Sequence, residues 1–508
     1  MSRISFLPVF LLSILAAHSQ TTQQKVRSYR IANEPQLIKD YLEFVSIPNV
    51  SRDTPNIRRN AEYIANWMNK IGIKAELLDG ITPNVTPAVY GKVTVPNAKQ
   101  TLAFYAHYDG QPVNPKQWAE GLSPFQPVFL TAPVERNGKI IKPDPSSKIF
   151  DSSWRISGRG SADDKAGVMT VLNAYESLIK SSIALGNNII FFFEGEEEIG
   201  SPHIGEIFEK HRPKLNADVW VIIDGPRHVS GRKLVQFGVR GDVNLAFTVY
   251  GPKRPLHSGN YGNWAPNPAR MLVELLAGMK DENGTVLIKG FYDDVIPLTE
   301  TEKKAIQSAP DIEPGLKTEL GIVEPEGGGK KFLELLLLPT LNINGINSAN
   351  VGELAANIIP VKAEAAIDLR LVLGNDVDRQ IQKVIAHIES KGYHVLDREP
   401  TDAERLQYKK LIKITRGVGY NAQRTAMDLP IAQKIIKAIQ STVEYPVVTL
   451  PSAGGSLPLI VFEQKLGAKV ISVPVVNYDN NQHAENENVL INYLWEGMET
   501  IAAIMVMK

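Results

Sequence analysis

The chain has 508 residues, too many for one ordinary core, so two domains or one domain with a large insertion are expected. Its 55 Lys and Arg balance 55 Asp and Glu, and a net charge of zero removes the electrostatic argument for a nucleic-acid or anionic-membrane partner. Cysteine is absent, which excludes disulfides and thiolate sites and leaves His, Asp and Glu to hold any transition metal.

Met1-Ser-Arg3, the apolar run from Phe6 to Ala17 and the pattern Ala17-His18-Ser19 have the form of a secretory signal over residues 1–19, cleaved near Gln20. The alternative is a hydrophobic tail on a cytosolic protein. The run is short for a membrane span, so the expectation is a secreted or periplasmic protein with no membrane attachment after cleavage.

From residue 27 to 240 helical and strand patterns alternate. Leu37, Tyr41, Leu42 and Val45 share one helical face, and Ala61, Ile64, Ala65 and Met68 repeat it. Three apolar strands follow, and each runs into a metal-binding type of side chain. Thr101 to Ala106 ends at His107-Tyr-Asp109, Asn188 to Phe193 at Glu194-Gly-Glu-Glu-Glu198, and Val219 to Ile223 at Asp224. Ligands gather beyond the carboxyl ends of strands in an open α/β sheet, so these termini are predicted to converge on one cleft.

Residues 241–424 have a different texture. Strand patterns at Val243–Tyr250, Val361–Val372 and Tyr393–Leu396 and helices at Asn267–Lys280 and Asp376–Lys391 predict an inserted α+β unit. Pro325-Glu-Gly-Gly-Gly-Lys330 lacks the Ser or Thr and the leading strand of a phosphate loop and reads as a plain loop. From 425 to 508 the first pattern returns, with a helix at Ile431–Val443, a Gly454-Gly455 turn, a strand at Val470–Pro474 and a final helix at Ile491–Met505.

Three motifs carry chemistry. His107-x-Asp109 fits a metal ligand whose second N–H is accepted by a carboxylate, or equally a satisfied polar residue at a strand end. Asp163-Asp164, on a glycine-rich loop that opens a helix, fits helix capping or metal binding. Glu196-Glu197-Glu198 follows a strand that should be buried, where crowded acids repel unless a cation neutralises them or one stays protonated. With His107, Asp163, Glu198, Asp224 and His483 available, two sites sharing a bridging carboxylate can be built, and Glu197 is left to take a proton.

These residues resemble the M20 family of dinuclear zinc peptidases, in its branch of carnosinase-like dipeptidases. The matching pieces are His107-Tyr-Asp109, Gly158-Arg-Gly-Ser-Ala-Asp-Asp-Lys165, Glu194-Gly-Glu-Glu-Glu-Ile-Gly-Ser201, Asp224, Leu256-His-Ser-Gly259, Asp368-Leu-Arg-Leu371, Gly454-Gly-Ser-Leu-Pro458 and His483-Ala-Glu-Asn486. They stand in family order along nearly the whole mature chain. The resemblance implies an α/β fold with a mixed-sheet catalytic domain and an inserted lid and dimerisation domain. It implies two divalent ions per subunit, zinc with manganese or cobalt as alternatives, one held by His107 and Asp224, the other by Glu198 and His483, and Asp163 between them. Asp109 would orient His107, and Glu197 would be the general acid/base. His257 would stabilise the tetrahedral intermediate in the neighbouring subunit of a homodimer. Arg370 would take the substrate's terminal carboxylate in a pocket lined by Gly454, Gly455 and Ser456.

Relatives often have Arg two residues before the Gly-Gly pair, where this chain has Ser452, which takes one cation out of that pocket. The activity implied is hydrolysis of dipeptides or short peptides by a metal-activated water. The alternatives are a deacylase of N-acyl amino acids with the same centre and a catalytically silent binding protein of the same fold.

Overall fold

The computed structural model describes residues 20–508 other than Asn84 and Pro145, so the predicted signal segment lies outside the described residues. Burial with a period of two builds the central sheet. In strand Thr101–His107, Leu102, Phe104 and Ala106 enter a core shared with Tyr41, Ile64, Val168 and Ile501, which come from helices Thr22–Ser46, Thr54–Lys70, Lys165–Lys180 and Ile491–Val506. Ala103 and Tyr105 point the other way, onto Phe208 and Phe462 of helices Ile204–His211 and Ile460–Leu466. Strands Asn188–Glu194 and Val219–Ile222 divide their side chains in the same manner, with Phe191 and Val221 on one side and Phe192 and Trp220 on the other. Both faces are covered, which is why these strands read as unbroken apolar runs. Each fully buried Phe contributes about 1.5–3 kcal/mol of apolar transfer.

Eight strands lie in the order Ala75–Leu78, Ala88–Val93, Asn188–Glu194, Thr101–His107, Val219–Ile222, Val470–Ser472, Leu234–Gln236 and Val448–Leu450. The middle four are parallel to one another, and on each side the next strand pairs antiparallel to them, so the sheet is mixed as expected. A second sheet absent from the sequence reading joins Asn488–Leu490, Arg155–Ser157, Val128–Leu130 and Ile140–Ile141.

The inserted unit is a five-stranded sheet in the order Thr340–Ser348, Lys362–Leu371, Gly241–Tyr250, Leu411–Tyr420 and His394–Leu396. Helices Pro268–Ala277 and Val377–Ser390 cover one face through Met271, Leu275, Ile381 and Val384. The two chain crossings pair with each other, Gly238 with Arg424 and Val239 with Gln423. Glycine is required there, because a Cβ on Gly238 would stand 2.3 Å from the Gln423 carbonyl oxygen.

Part of the inserted stretch packs on the other body. Helix Glu300–Ser308 lies against strand Val448–Leu450, Ala305 enters the catalytic core, and buried Glu302 pairs with Arg424 at 3.0 Å. Among the described residues no helix is long and apolar enough to cross a membrane.

Candidate metal centre and substrate cleft

Parallel pairing carries the strand-end residues to one place. His107 is the Cα partner of Glu194, and Ile222 pairs with Tyr105, so His107, Asp109, Glu196 to Glu198 and Asp224 emerge together at one edge of the sheet. Gly195 permits this crowding, since a Cβ there would come within 2.6 Å of the Tyr108 ring.

His107 is fully buried, with Nδ1 3.2 Å from the Asp109 carbonyl oxygen and 3.3 Å from Asp109 Oδ1. Its Nε2 lies 2.9 Å from Asp163 Oδ1, 3.8 Å from Glu197 Oε2 and 4.0 Å from Asp224 Oδ2. The other oxygen of Asp163, Oδ2, is 3.0 Å from His483 Nε2, which in turn lies 3.3 Å from Glu198 Oε2. One carboxylate therefore stands between two imidazoles from chain positions 376 residues apart, 107 and 483.

The three consecutive acids have three different environments. Glu196 is tied down by His203 Nδ1 at 2.7 Å and the Thr86 N–H at 3.4 Å. Glu197 is mostly buried, its side chain 13% exposed, and faces His107. Glu198 accepts from Gln111 Nε2 at 2.7 Å and faces His483. Asp109 sets the last two by accepting from both their backbone N–H groups, Glu197 at 3.2 Å and Glu198 at 3.1 Å, and Gly200, at φ +84, closes the turn.

Most of the acids and both imidazoles at this centre hold protons tightly. Burial lifts Glu197 well above the ordinary carboxyl range, and burial with neighbouring Asp163 lifts Glu198 to about 7 and Asp224 to about 6. The hydrogen bond to Asp163 raises His483 to about 9. Asp163 goes the other way, because its contacts with His107 and His483 outweigh its burial. Oxygen and imidazole donors that compete for protons in a mostly buried site, with His483 at its exposed rim, are the set a divalent cation satisfies. The donor atoms of His107, Asp164 and Asp224 lie within 4.8 Å of one another, as do those of Asp163, Glu198 and His483, so the residues fit a two-ion centre. Asp164 has both oxygens turned onto backbone N–H groups, Gly167 at 3.1 Å and His107 at 3.3 Å, and caps helix Lys165–Lys180. Asp163 is the acid of this pair that faces both imidazoles.

Two residues given no role in the sequence reading, Glu487 and Lys165, hold the loops in register. Buried Glu487 accepts from the N–H groups of Gly160, Ala162 and Asp163 at 3.0, 2.8 and 3.0 Å and from Arg159 at 2.6 Å. Arg159 also donates to the Ala484 carbonyl oxygen at 2.9 Å, so the Asp163 and His483 loops are stitched together. His483 itself has left-handed backbone, φ +64, a conformation that costs a non-glycine residue about 1 kcal/mol and persists only where its surroundings hold it. Lys165, fully buried and pushed well below its ordinary pKa by that burial, donates to the carbonyl oxygens of Phe44 and Ile47 at 2.7 Å each and anchors the same loop to the first helix. Position directly after Asn486 and adjacency to the double Asp are the only sequence signals for these two.

Beside the centre lies a cleft of about 590 Å³ between the two bodies. Arg370, Gly454, Gly455 and Ser456 all line it, together with Asp163, Glu197, Glu198, Asp224 and His483. Arg370 donates to Ser456 Oγ at 2.8 Å, and its Nε lies 3.1 Å from Asp368 Oδ2. Tyr420 and Gln236 line the cleft too and were not anticipated. His257 is not brought to this cleft. It is exposed on the inserted unit, where Leu256–His257 pairs with Ile358–Ile359, and its Nδ1 accepts from the Gly259 N–H at 3.1 Å.

The sequence profile of peptidase family M20/M25/M40 matches residues 103–506. The chain is similar to the Cys-Gly metallodipeptidase dug1 of Schizosaccharomyces pombe, 25% identical over 90% of this chain and 92% of that one. It is also similar to human Beta-Ala-His dipeptidase, 24% identical over 95% of this chain and 92% of that one. Among solved structures, the M20 family metallo-carboxypeptidase Sso-CP2 of Sulfolobus solfataricus superposes with a TM-score of 0.74 at 27% identity, covering 93% of this chain and 99% of that one. Human carnosine dipeptidase 1 shares the fold, with a TM-score of 0.73 at 21% identity over 96% and 98% of the two chains. With the strand-end donors gathered as described and the profile running across four-fifths of the sequence, the chain belongs to peptidase family M20/M25/M40, in its carnosinase-like dipeptidase branch, and is a metallopeptidase.

Proposed function

We propose that this protein is an exported, homodimeric dipeptidase that works with two zinc ions. The observation that carries the reading is Asp163, placed between His107 and His483 with Glu197 beside it. His107 and Asp224 would hold one ion and Glu198 and His483 the other, with Asp163 shared. When bound, such a pair of ions supplies a Lewis acid for the scissile carbonyl and a lowered pKa for the attacking water.

Glu197 takes the proton of that water and passes it to the departing amine. Its burial suits the second half of the task, because a carboxyl with a raised pKa keeps the proton until the amine needs it. Arg370 receives the terminal carboxylate at the far end of the cleft, beside Gly454, Gly455 and Ser456. His257 of the partner subunit donates to the oxyanion. Its exposure supports that role, and because Nδ1 accepts from Gly259, Nε2 carries the proton and faces outward.

The names of the relatives, Cys-Gly and Beta-Ala-His dipeptidases, support dipeptides as the substrate class. Digestion of a dipeptide library, set against N-acetyl amino acids, tests this with the zinc-reconstituted protein. Dipeptides are expected to be cleaved, and cleavage of N-acetyl amino acids alone would make the enzyme a deacylase. Export rests on residues 1–19. N-terminal sequencing of protein recovered from periplasm or medium should find a start near Gln20, and a cytosolic product that keeps those residues would end that part of the reading.

A further inference from the structure

Arg370 does not stand alone at its end of the cleft. Asp242 is the Cα partner of both Arg370 and Tyr420, so the three form one row across adjacent strands of the inserted sheet, their side chains on one face. With strands about 4.8 Å apart, Arg370 and Tyr420 stand roughly 10 Å from each other on either side of Asp242. Arg370 reaches the catalytic body, donating to Ser456 Oγ at 2.8 Å, and Tyr420 lines the same cleft as that pair.

The guanidinium is already partly spent. Its Nε lies 3.1 Å from Asp368 Oδ2 and 3.6 Å from Asp242 Oδ1, so two carboxylates compensate its charge and occupy its inner edge. Its terminal nitrogens are left for a ligand, one of them shared with Ser456 Oγ. A carboxylate offers two oxygens and about four lone pairs, more than that outer edge can satisfy. A neutral donor beside that edge would serve the lone pairs left over, and Tyr420 lines the same cleft.

We propose that Tyr420 is a substrate-binding residue whose phenol donates to the terminal carboxylate of the peptide, beside Arg370 and Ser456. The proposal rests on the dipeptidase reading for its substrate. Burial, then Asp242, pushes the Tyr420 hydroxyl up to about 12, so it remains a donor throughout the neutral range.

Tyr420→Phe keeps the ring and removes the donor. KM and kcat are measured for a dipeptide that the unmodified enzyme cleaves and for its C-terminal amide, with Arg370→Met alongside. Loss of one hydrogen bond to a charged group is expected to raise KM for the free acid about tenfold, leaving kcat and the amide's KM nearly unchanged. An unchanged KM for the acid, or an equal rise for acid and amide as from a merely structural role, overturns the proposal. If the unmodified enzyme cleaves N-acetyl amino acids instead, the same comparison is made on those and their amides, because they end in the same carboxylate. The dipeptidase reading then fails while the role of Tyr420 is decided by its own KM, and an enzyme inactive on both classes overturns both.

Discussion

On the catalytic body, the acids beside the centre are gripped by backbone. Asp109 holds the N–H groups of Glu197 and Glu198, and Glu487 holds those of Gly160, Ala162 and Asp163. On the inserted unit, His257 is exposed and lies outside the cleft of its own chain, and Arg370 is held by side chains alone, Asp368 and Ser456. One region is organised before a ligand arrives. The other leaves His257 exposed and Arg370 facing the cleft, where under the proposed function a second subunit and a substrate carboxylate would complete them. Rigid donors suit metal binding, where small displacements are costly, while exposed donors suit groups that must meet a ligand as it enters.

The largest test of that contrast is Asp163→Ala. It removes the acid between the two imidazoles, and both bound metal and activity are expected to vanish in elemental analysis and peptidase assay. Retention of two ions would break the idea that the catalytic body is organised around this residue. Glu197→Ala should keep its metal while turnover falls roughly 10²- to 10⁴-fold, the usual effect of a lost general acid/base. If Glu197→Ala loses metal and Glu198→Ala keeps it, the two acids have exchanged roles.

Mixing subunits examines the exposed half. A Glu197→Ala chain and a His257→Ala chain, each impaired, are exchanged into heterodimers. If His257 serves the partner subunit, one site per heterodimer is whole and activity returns to about a quarter of wild type for random assortment. Verified heterodimers with no recovery would place His257 in the service of its own chain, or outside catalysis.

The smallest effect is a melting temperature. Asp224 near 6, Glu198 near 7 and His483 near 9 all bind protons more tightly folded than unfolded. Such groups add stability at low pH and lose it as pH rises through their folded values. The metal-free protein is therefore expected to melt progressively lower from about pH 4.5, the unfolded carboxyl range, towards pH 9, and zinc should restore the loss most at the alkaline end. Asp163, shifted downward, acts only at more acidic pH. A melting temperature that rises across this range in the metal-free protein would show that the centre is not strained by its own charges.

The donors were legible because their signals are local. An apolar run that ends in His or Asp marks a strand terminus on one edge of a sheet, and His107, Asp224 and the triple Glu needed no more than that. Glu487 and Tyr420 were not legible, since one acid among 55 and one tyrosine among 16 carry no local mark. Thr340–Ser348 escaped for a related reason. Asn342, Asn344, Gly345 and Asn347 are poor strand formers, and the segment is extended because its partner Lys362–Leu371 offers a ladder.

Residue chemistry and strand periodicity, which depend on neighbours a few positions away, were determined by the sequence alone: an α/β sheet covered on both faces, an inserted α+β unit and a set of candidate His, Asp and Glu donors. The tertiary structure decided which donors meet. Asp163 touches His483 because Glu487 and Arg159 bind their loops together, helix Glu300–Ser308 leaves its own unit for the catalytic sheet, and Tyr420 joins Arg370 because both strands pair with Gly241–Tyr250. Such meetings depend on strand order and on packing between segments hundreds of residues apart, and no local pattern encodes them.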